Sequence, residues 1–303
     1  NEANPLEEDL IIVDEASMLD ISLFYHLLCA LKDGARLILV GDIDQLPPVG
    51  AGEPLKDLMS WGYVPIVRLK HIFRQEEGSG IVENAALIRK GEMCVPDEAG
   101  EFRIVYAADD EDAYRIVMDL CRELNYGNEE NKMLLQVLSP MYRGVCGVDH
   151  LNESLQEMIH GEKVPDGMKF FPGDKVMQTR NDYEKGIYNG DVGTVWTATP
   201  QKVFVHYFDK EVVYEGEERF DLRLAYAVTV HKSQGSEYET VIFILRPSQH
   251  NMLQRNLLYT GVTRARKNTI LVTAPDALRR ALAIQHTGNR YSLFLPFLNH
   301  EAL

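Results

Sequence analysis

The chain has 303 residues, enough for two domains with separate cores, and its 45% hydrophobic and 25% charged content suits a soluble globular protein. Four scattered cysteines, an acidic N-terminus and no apolar run near ~20 residues argue against zinc, disulfides, a signal peptide and a membrane span, and point to a reducing cytosol. The net charge of −15 excludes a uniformly basic nucleic-acid binder, but residues 225–290 carry nine Lys/Arg against three acids, so a local phosphate-binding face stays open.

In chain order, LIIV at residues 10–13 predicts a short buried strand. Apolar residues from Met18 to Leu31 recur at three and four, predicting a helix that Gly34 stops. RLILV at 36–40 is the next buried strand, 64–73 a further one, and Ile81, Ala85 and Ile88 mark a helix face. These are βαβ units, so a parallel sheet covered by helices is expected. A composition break at 91–101 marks a domain boundary. Strands are then expected at 102–107 and 133–138, with helices over 111–125 and 148–159. From 166 to 222 short β-rich runs are punctuated by Gly, Pro and Asn-Gly, which predicts a small inserted β-barrel. The α/β pattern resumes in the apolar runs at 224–230, 241–245 and 269–274.

The polar residues gather where strands end. In open parallel sheets, ligands sit beyond the carboxyl ends of strands. Asp14 and Glu15 follow the first strand; one carboxylate there can hold Mg²⁺ while its neighbour activates water. The same residues with Ser17 also suit a cap for the next helix. Gln45, in GDIDQLPPVG after the second strand, can sense a γ-phosphate or serve only as a polar turn residue. Two adjacent strand ends, each with a suitable group, favour a site. Arg74 in IFRQ, and Arg264 and Arg266 in LLYTGVTRARK, offer the planar fork that binds phosphate, or ordinary surface charge. The densest stretch is TVHKSQGSEY at 229–238, where Thr229, His231, Ser233, Gly235 and Glu237 crowd one strand end. Hydroxyls, basic groups and a glycine in that place suit a nucleic-acid backbone.

Taken in order, VDEAS, GDIDQLPPVG, IFRQ, VLSPMYRG…GVDHLN, TVHKSQGSEY and LLYTGVTRARK resemble motifs II to VI of superfamily 1 helicases. The wording HKSQGSEY and LLYTGVTRA is most similar to the RecD-like branch, which includes the exonuclease V alpha subunit. The resemblance implies an α/β fold of RecA-like P-loop NTPase domains: part of a first one over 1–95, a second over 96–165 and 223–303, and an inserted SH3-like β-barrel over 166–222. It implies an ATP-dependent DNA helicase or translocase, moving 5′ to 3′, in recombination or repair. ATP and Mg²⁺ would be its cofactors, and single-stranded DNA its partner, along with other subunits of a repair nuclease. Asp14 would hold Mg²⁺, Glu15 would be the general base, and Gln45, Arg74 and Arg264 would reach the γ-phosphate. Gly235 and Glu237 would meet the nucleotide, Glu237 at its sugar. Thr229, His231 and Ser233 would contact DNA, and the loop bearing Arg180, Tyr183 and Lys185 is a second contact or a solvated hairpin tip. The departure is that no GxxxxGK[ST] loop occurs in the 303 residues; the resemblance therefore implies the C-terminal portion of a longer helicase, inactive alone. The alternatives are the helicase part of a conjugative relaxase and a non-catalytic DNA-binding or docking module.

Overall fold

The computed structural model describes residues 3–69, 78–285 and 293–299. The first unit is small. Strand β1 (Leu10–Val13) runs through a turn into α1 (Ile21–Ala30), and β2 (Arg36–Leu39) pairs with β1 in parallel from Leu10↔Arg36 to Val13↔Leu39. Asp20 caps α1 by accepting from the Leu23 amide at 2.8 Å. Helix α2 (Pro54–Trp61) starts on a proline, which supplies the φ its first turn needs, and ends on Gly62 in the left-handed conformation. The two strands were expected to be buried; instead one face is open, with Ile12 61% and Ile38 46% exposed. Among the described residues β1 and β2 pair only with each other, so no layer covers that face. The strand expected at 64–73 is absent over its described part, 64–69, where Val67 and Leu69 are exposed with no neighbouring strand to pair; residues 70–73 lie outside the described residues.

The larger unit begins with α3 (Gly80–Lys90), β3 (Phe102–Tyr106), α4 (Asp110–Glu123), α5 (Glu129–Leu134), β4 (Leu135–Ser139) and α6 (Val148–His160). The insertion follows as β5 (Lys175–Gln178), β6 (Val192–Ala198), β7 (Lys202–His206), β8 (Glu211–Glu215) and β9 (Leu222–Leu224). The chain returns through β10 (Ala227–Thr229), β11 (Tyr238–Leu245), α7 (Arg255–Val262), β12 (Ala265–Thr273), α8 (Pro275–Ala283) and α9 (Phe294–Leu298). Strands β10-β4-β11-β12-β3 form one sheet in that order, every neighbour parallel. Its strands read as apolar runs because both faces are covered. Along β11, Val241, Phe243 and Leu245 join a core with α3, α7 and α8, while Ile242 and Ile244 join a second core with α4 and α6. The composition break at 91–101 follows α3, yet Ile81, Ala85 and Ile88 of that helix pack in the same core as Leu257 and Leu282. On packing, α3 goes with the larger sheet.

The insertion is a five-stranded antiparallel sheet, β8-β7-β6-β5-β9, with its own core of Val176, Val195, Val205 and Tyr214. Its root is a buried polar cluster. Asp174 has no exposed surface and accepts from Tyr226 Oη at 2.9 Å, the Phe171 amide at 2.7 Å, and the Gln156 amide group, with His160 Nε2 also at 2.9 Å. Lys175 donates to Leu135 O at 3.1 Å and Gln136 Oε1 at 2.9 Å. Lys132 of α5 adds a bond from its Nζ to Gly173 O at 2.7 Å, so partners on α5, β4, α6 and the β9–β10 link join the barrel to the sheet by satisfied buried bonds.

Candidate functional site

At the carboxyl ends of β1 and β2 the backbone turns tightly. Ala16 N donates to Val40 O at 2.7 Å and Val40 N to Val13 O at 2.8 Å, which carries the two-strand ladder into the loops. Asp14 is exposed and accepts from the Glu15 amide at 2.8 Å. Glu15 stands at φ 50°, ψ 35°, a left-handed conformation that non-glycine residues seldom adopt and that collects at functional sites. The loop after β2 carries Gln45 over a cleft of about 510 Å³, also lined by Ser17, Pro47, Arg89, Arg255 and Tyr259. Ser17 Oγ and Gln45 Oε1 are buried there without a hydrogen-bond partner. Buried polar atoms are ordinarily satisfied, so two orphans in one cleft mark a place for a polar ligand.

The far wall comes from the larger unit. Asn256, Tyr259 and Thr260 lie on one face of α7. Asn256 donates to Gln45 O at 3.1 Å, Tyr259 Oη to Asp42 at 2.8 Å, and Thr260 Oγ1 accepts from the Leu46 amide at 2.8 Å. Asp44 pairs with Arg89 of α3 at 2.6 Å. Burial beside Asp42 pushes the Tyr259 phenol well above its ordinary range, so it is a neutral donor at every working pH. None of these wall residues was expected; the signal was the 256, 259, 260 spacing inside NLLYTGV, which places three polar groups on one helical face.

A second groove, about 1020 Å³, lies between the barrel and the larger sheet. Its cations are Arg143, Arg180, Arg223 and Lys232, and its aromatic rings Tyr142 and Phe220, the latter 72% exposed. Arg223 lies over the Tyr142 ring at 5.7 Å. Four acids, Asp149, Glu217, Glu218 and Asp221, line it too and equal the cations in number; Arg180 pairs with Asp221 at 3.5 Å and Arg223 with Asp149 at 3.8 Å. Burial and the nearby Arg223 lower the pKa of Lys232.

The expected site residues divide. Asp14, Glu15 and Gln45 sit at adjacent strand ends, and Arg180 lines the groove. Gly235 takes φ +76° with open space around it, and Glu237 is paired with Arg266 at 2.7 Å. His231 is half-buried in the turn after β10, next to Lys232. Tyr183 is 77% exposed, edge-on to Tyr188. Four of the expected residues need correcting in geometry. Thr229 and Ser233 are buried: Thr229 Oγ1 accepts from the Lys232 amide and Ser233 Oγ donates to Val230 O, so both shape the turn and neither hydroxyl faces outward. Arg264 is buried outside the cleft lining, donating to Thr260 O at 3.1 Å and Ser236 O at 3.2 Å. Lys185 is committed to Glu218 and Val213 O. Arg74 lies outside the described residues. No group of three metal-ligating side chains occurs among the described residues, and none of their helices is long and apolar enough to cross a membrane.

Residues 2–103 match the model of an AAA domain, 151–207 that of the SH3 domain of ATP-dependent RecD-like DNA helicases, and 224–272 that of the UvrD-like helicase C-terminal domain. The chain is 37% identical over 97% of its length to the ATP-dependent RecD2 DNA helicase of Deinococcus radiodurans, of which it covers 40%. The chain belongs to the RecD-like helicase family. It is also 33% identical over 96% of its length to the RecBCD enzyme subunit RecD of Mycolicibacterium smegmatis, of which it covers 55%. This RecD-like chain thus spans about half the length of the curated relatives it matches. Its fold is shared with the Pif1 helicase from Bacteroides solved with ADP-AlF3 and ssDNA, at TM-score 0.59 and 21% identity, covering 97% of this chain and 75% of that one. The expected α/β RecA-like fold with an SH3-like insertion is therefore borne out.

Proposed function

We propose that this RecD-like chain supplies the nucleotide-sensing cleft and the strand-gripping groove of an ATP-dependent DNA helicase acting in recombination or repair. The observation that carries the proposal is the pairing of two sites across one scaffold: a cleft with orphaned Ser17 Oγ and Gln45 Oε1, and a groove that sets four cations, among four acids, beside Tyr142 and Phe220. Arginines and exposed rings together suit a single strand, whose phosphates take charge and whose bases stack.

The cleft suits a nucleotide phosphate with its water, because the Ser17 hydroxyl can donate to a phosphate oxygen while Gln45 Oε1 accepts from a water. Exposed Asp14 suits a hard cation that keeps most of its water, and Mg²⁺ bound there would neutralise phosphate charge. Glu15 would hold the proton of the attacking water, and Gln45 would orient it. Arg264 would need to leave its backbone partners to reach a phosphate, which gives the cleft two arrangements. Subunits of a repair nuclease are proposed partners, since one relative is named as a RecBCD subunit; co-purification tests that. For the activity, a protein that joins these residues to a GxxxxGK[ST] loop should hydrolyse ATP only with single-stranded DNA and Mg²⁺. Glu15→Gln should cut phosphate release by ~10² or more. The 303-residue chain alone, with no GxxxxGK[ST], should be inactive. Unchanged turnover in Glu15→Gln would sink the assignment.

A further inference from the structure

Leu46 follows Gln45 and is buried in the core of the larger unit, beside Leu257 and Leu258 of α7. Both halves of its backbone are held from that unit. Its amide donates to Thr260 Oγ1 at 2.8 Å, and its carbonyl accepts from Gln234 Nε2 at 3.1 Å. Thr260 has no exposed surface, and its own carbonyl accepts from Arg264 Nε at 3.1 Å. Arg264 in turn donates to Ser236 O at 3.2 Å, two residues beyond Gln234. The bonds close a ring: Leu46, Thr260, Arg264, the 234–236 turn, and Leu46 again.

We propose that Thr260 is the positioning residue through which the 231–236 turn sets the place of Gln45; this deepens the helicase reading and rests on it. Two bonded paths from the turn meet at Leu46, one on its carbonyl through Gln234 and one on its amide through Ser236, Arg264 and Thr260, and both are needed to fix its peptide. Thr260 is the member that touches both the Gln45 loop and the arginine, by different atoms. Because the two bonds to Thr260 are buried and the other two part-buried, slack at Thr260 is not taken up by solvent. Displacing the turn when a strand binds therefore moves the Leu46 peptide and the Arg264 fork together. The packing around Thr260 is a structural matter, but the Oγ1 acceptor is what carries the coupling, and substitutions can separate the two.

Hydrogen exchange of the segment 42–50 in the 303-residue chain, with and without saturating oligo-dT, reads the coupling directly. In the wild type the strand should change exchange of that segment at least ~5-fold, the low end of ordinary coupling between sites. Thr260→Val should reduce the change below ~2-fold while oligo-dT still binds, and Thr260→Ser, which keeps the acceptor, should restore it. Gln234→Met, read at saturating strand, cuts the ring on its other side and should also reduce the change, whatever Thr260→Val does to folding. A full response in Thr260→Val or in Gln234→Met, loss in Thr260→Ser, or wild-type binding that leaves 42–50 unchanged overturns the proposal. A folded wild-type chain that binds no oligo-dT overturns the nucleic-acid reading itself.

Discussion

Gly41 packs closely against the turn that follows β1. A β-carbon there would lie 2.8 Å from Ser17 N, 3.2 Å from Ala16 N and 2.9 Å from a Leu55 methyl. Two of those neighbours are backbone of the turn that holds Asp14 and Glu15, so they cannot step aside without shifting the carboxylates. Gly41→Ala should therefore cost about 1–3 kcal/mol in urea denaturation; an unchanged midpoint would mean the turn is looser than drawn. At this scale the sequence showed which residue types stand at strand ends, and Asp14, Glu15 and Gln45 were legible from that alone. The destination of each side chain was not. Thr229, Ser233 and Arg264 have suitable chemistry, yet all three spend it on backbone groups next to them in the turn or helix. A short hydroxyl beside a turn meets a backbone partner as readily as it meets a ligand, and only the fold decides.

Among the elements, the barrel root is where burial meets charge. Burial pushes the Lys175 ammonium down to about 7, with Lys132 adding to the shift, while its Nζ lies between the Tyr126 and Tyr238 rings at 5.6 and 5.5 Å. The unfolded chain holds this proton up to about 10.4, so between those values it binds more protons than the native state. Stability from this group therefore rises with pH, from about 7 to about 10, and is lost as pH falls through 7. Urea midpoints at pH 7 and 9 should show the rise, smaller in Lys175→Met; an identical rise would place the titration elsewhere, for example at Lys169, whose pKa is also lowered. The long periodic helices α4 and α6 came within two residues of their expected spans because their apolar spacing persists over several turns, while β11 starts at Tyr238, three residues before the expected run. The eight-residue α2 and six-residue α5 were missed, being too short to show a period. Residues 64–69 read as strand from their β-branched residues, but a strand needs a partner as well as a propensity.

The whole molecule sets two sites on opposite sides of shared elements: the groove on the barrel side of the 231–236 turn, the cleft on the side of the Gln45 loop. The acidic total was no guide to this, because charge acts through its placement, and Arg143, Arg180, Arg223 and Lys232 are gathered from four separate stretches by folding. The barrel insertion was legible from its punctuation, but the groove beneath it was not, since Phe220 and Tyr142 are 78 positions apart in the chain. The most direct test is a titration of fluorescent oligo-dT with the 303-residue chain across a range of salt. Four phosphate contacts should give a log–log slope near −3, at about −0.7 each. Arg223→Ala should reduce that slope by about 1, and Phe220→Ala should weaken binding by about 1–3 kcal/mol without changing it. Binding that ignores salt, or that survives both substitutions intact, would contradict a strand held in this groove.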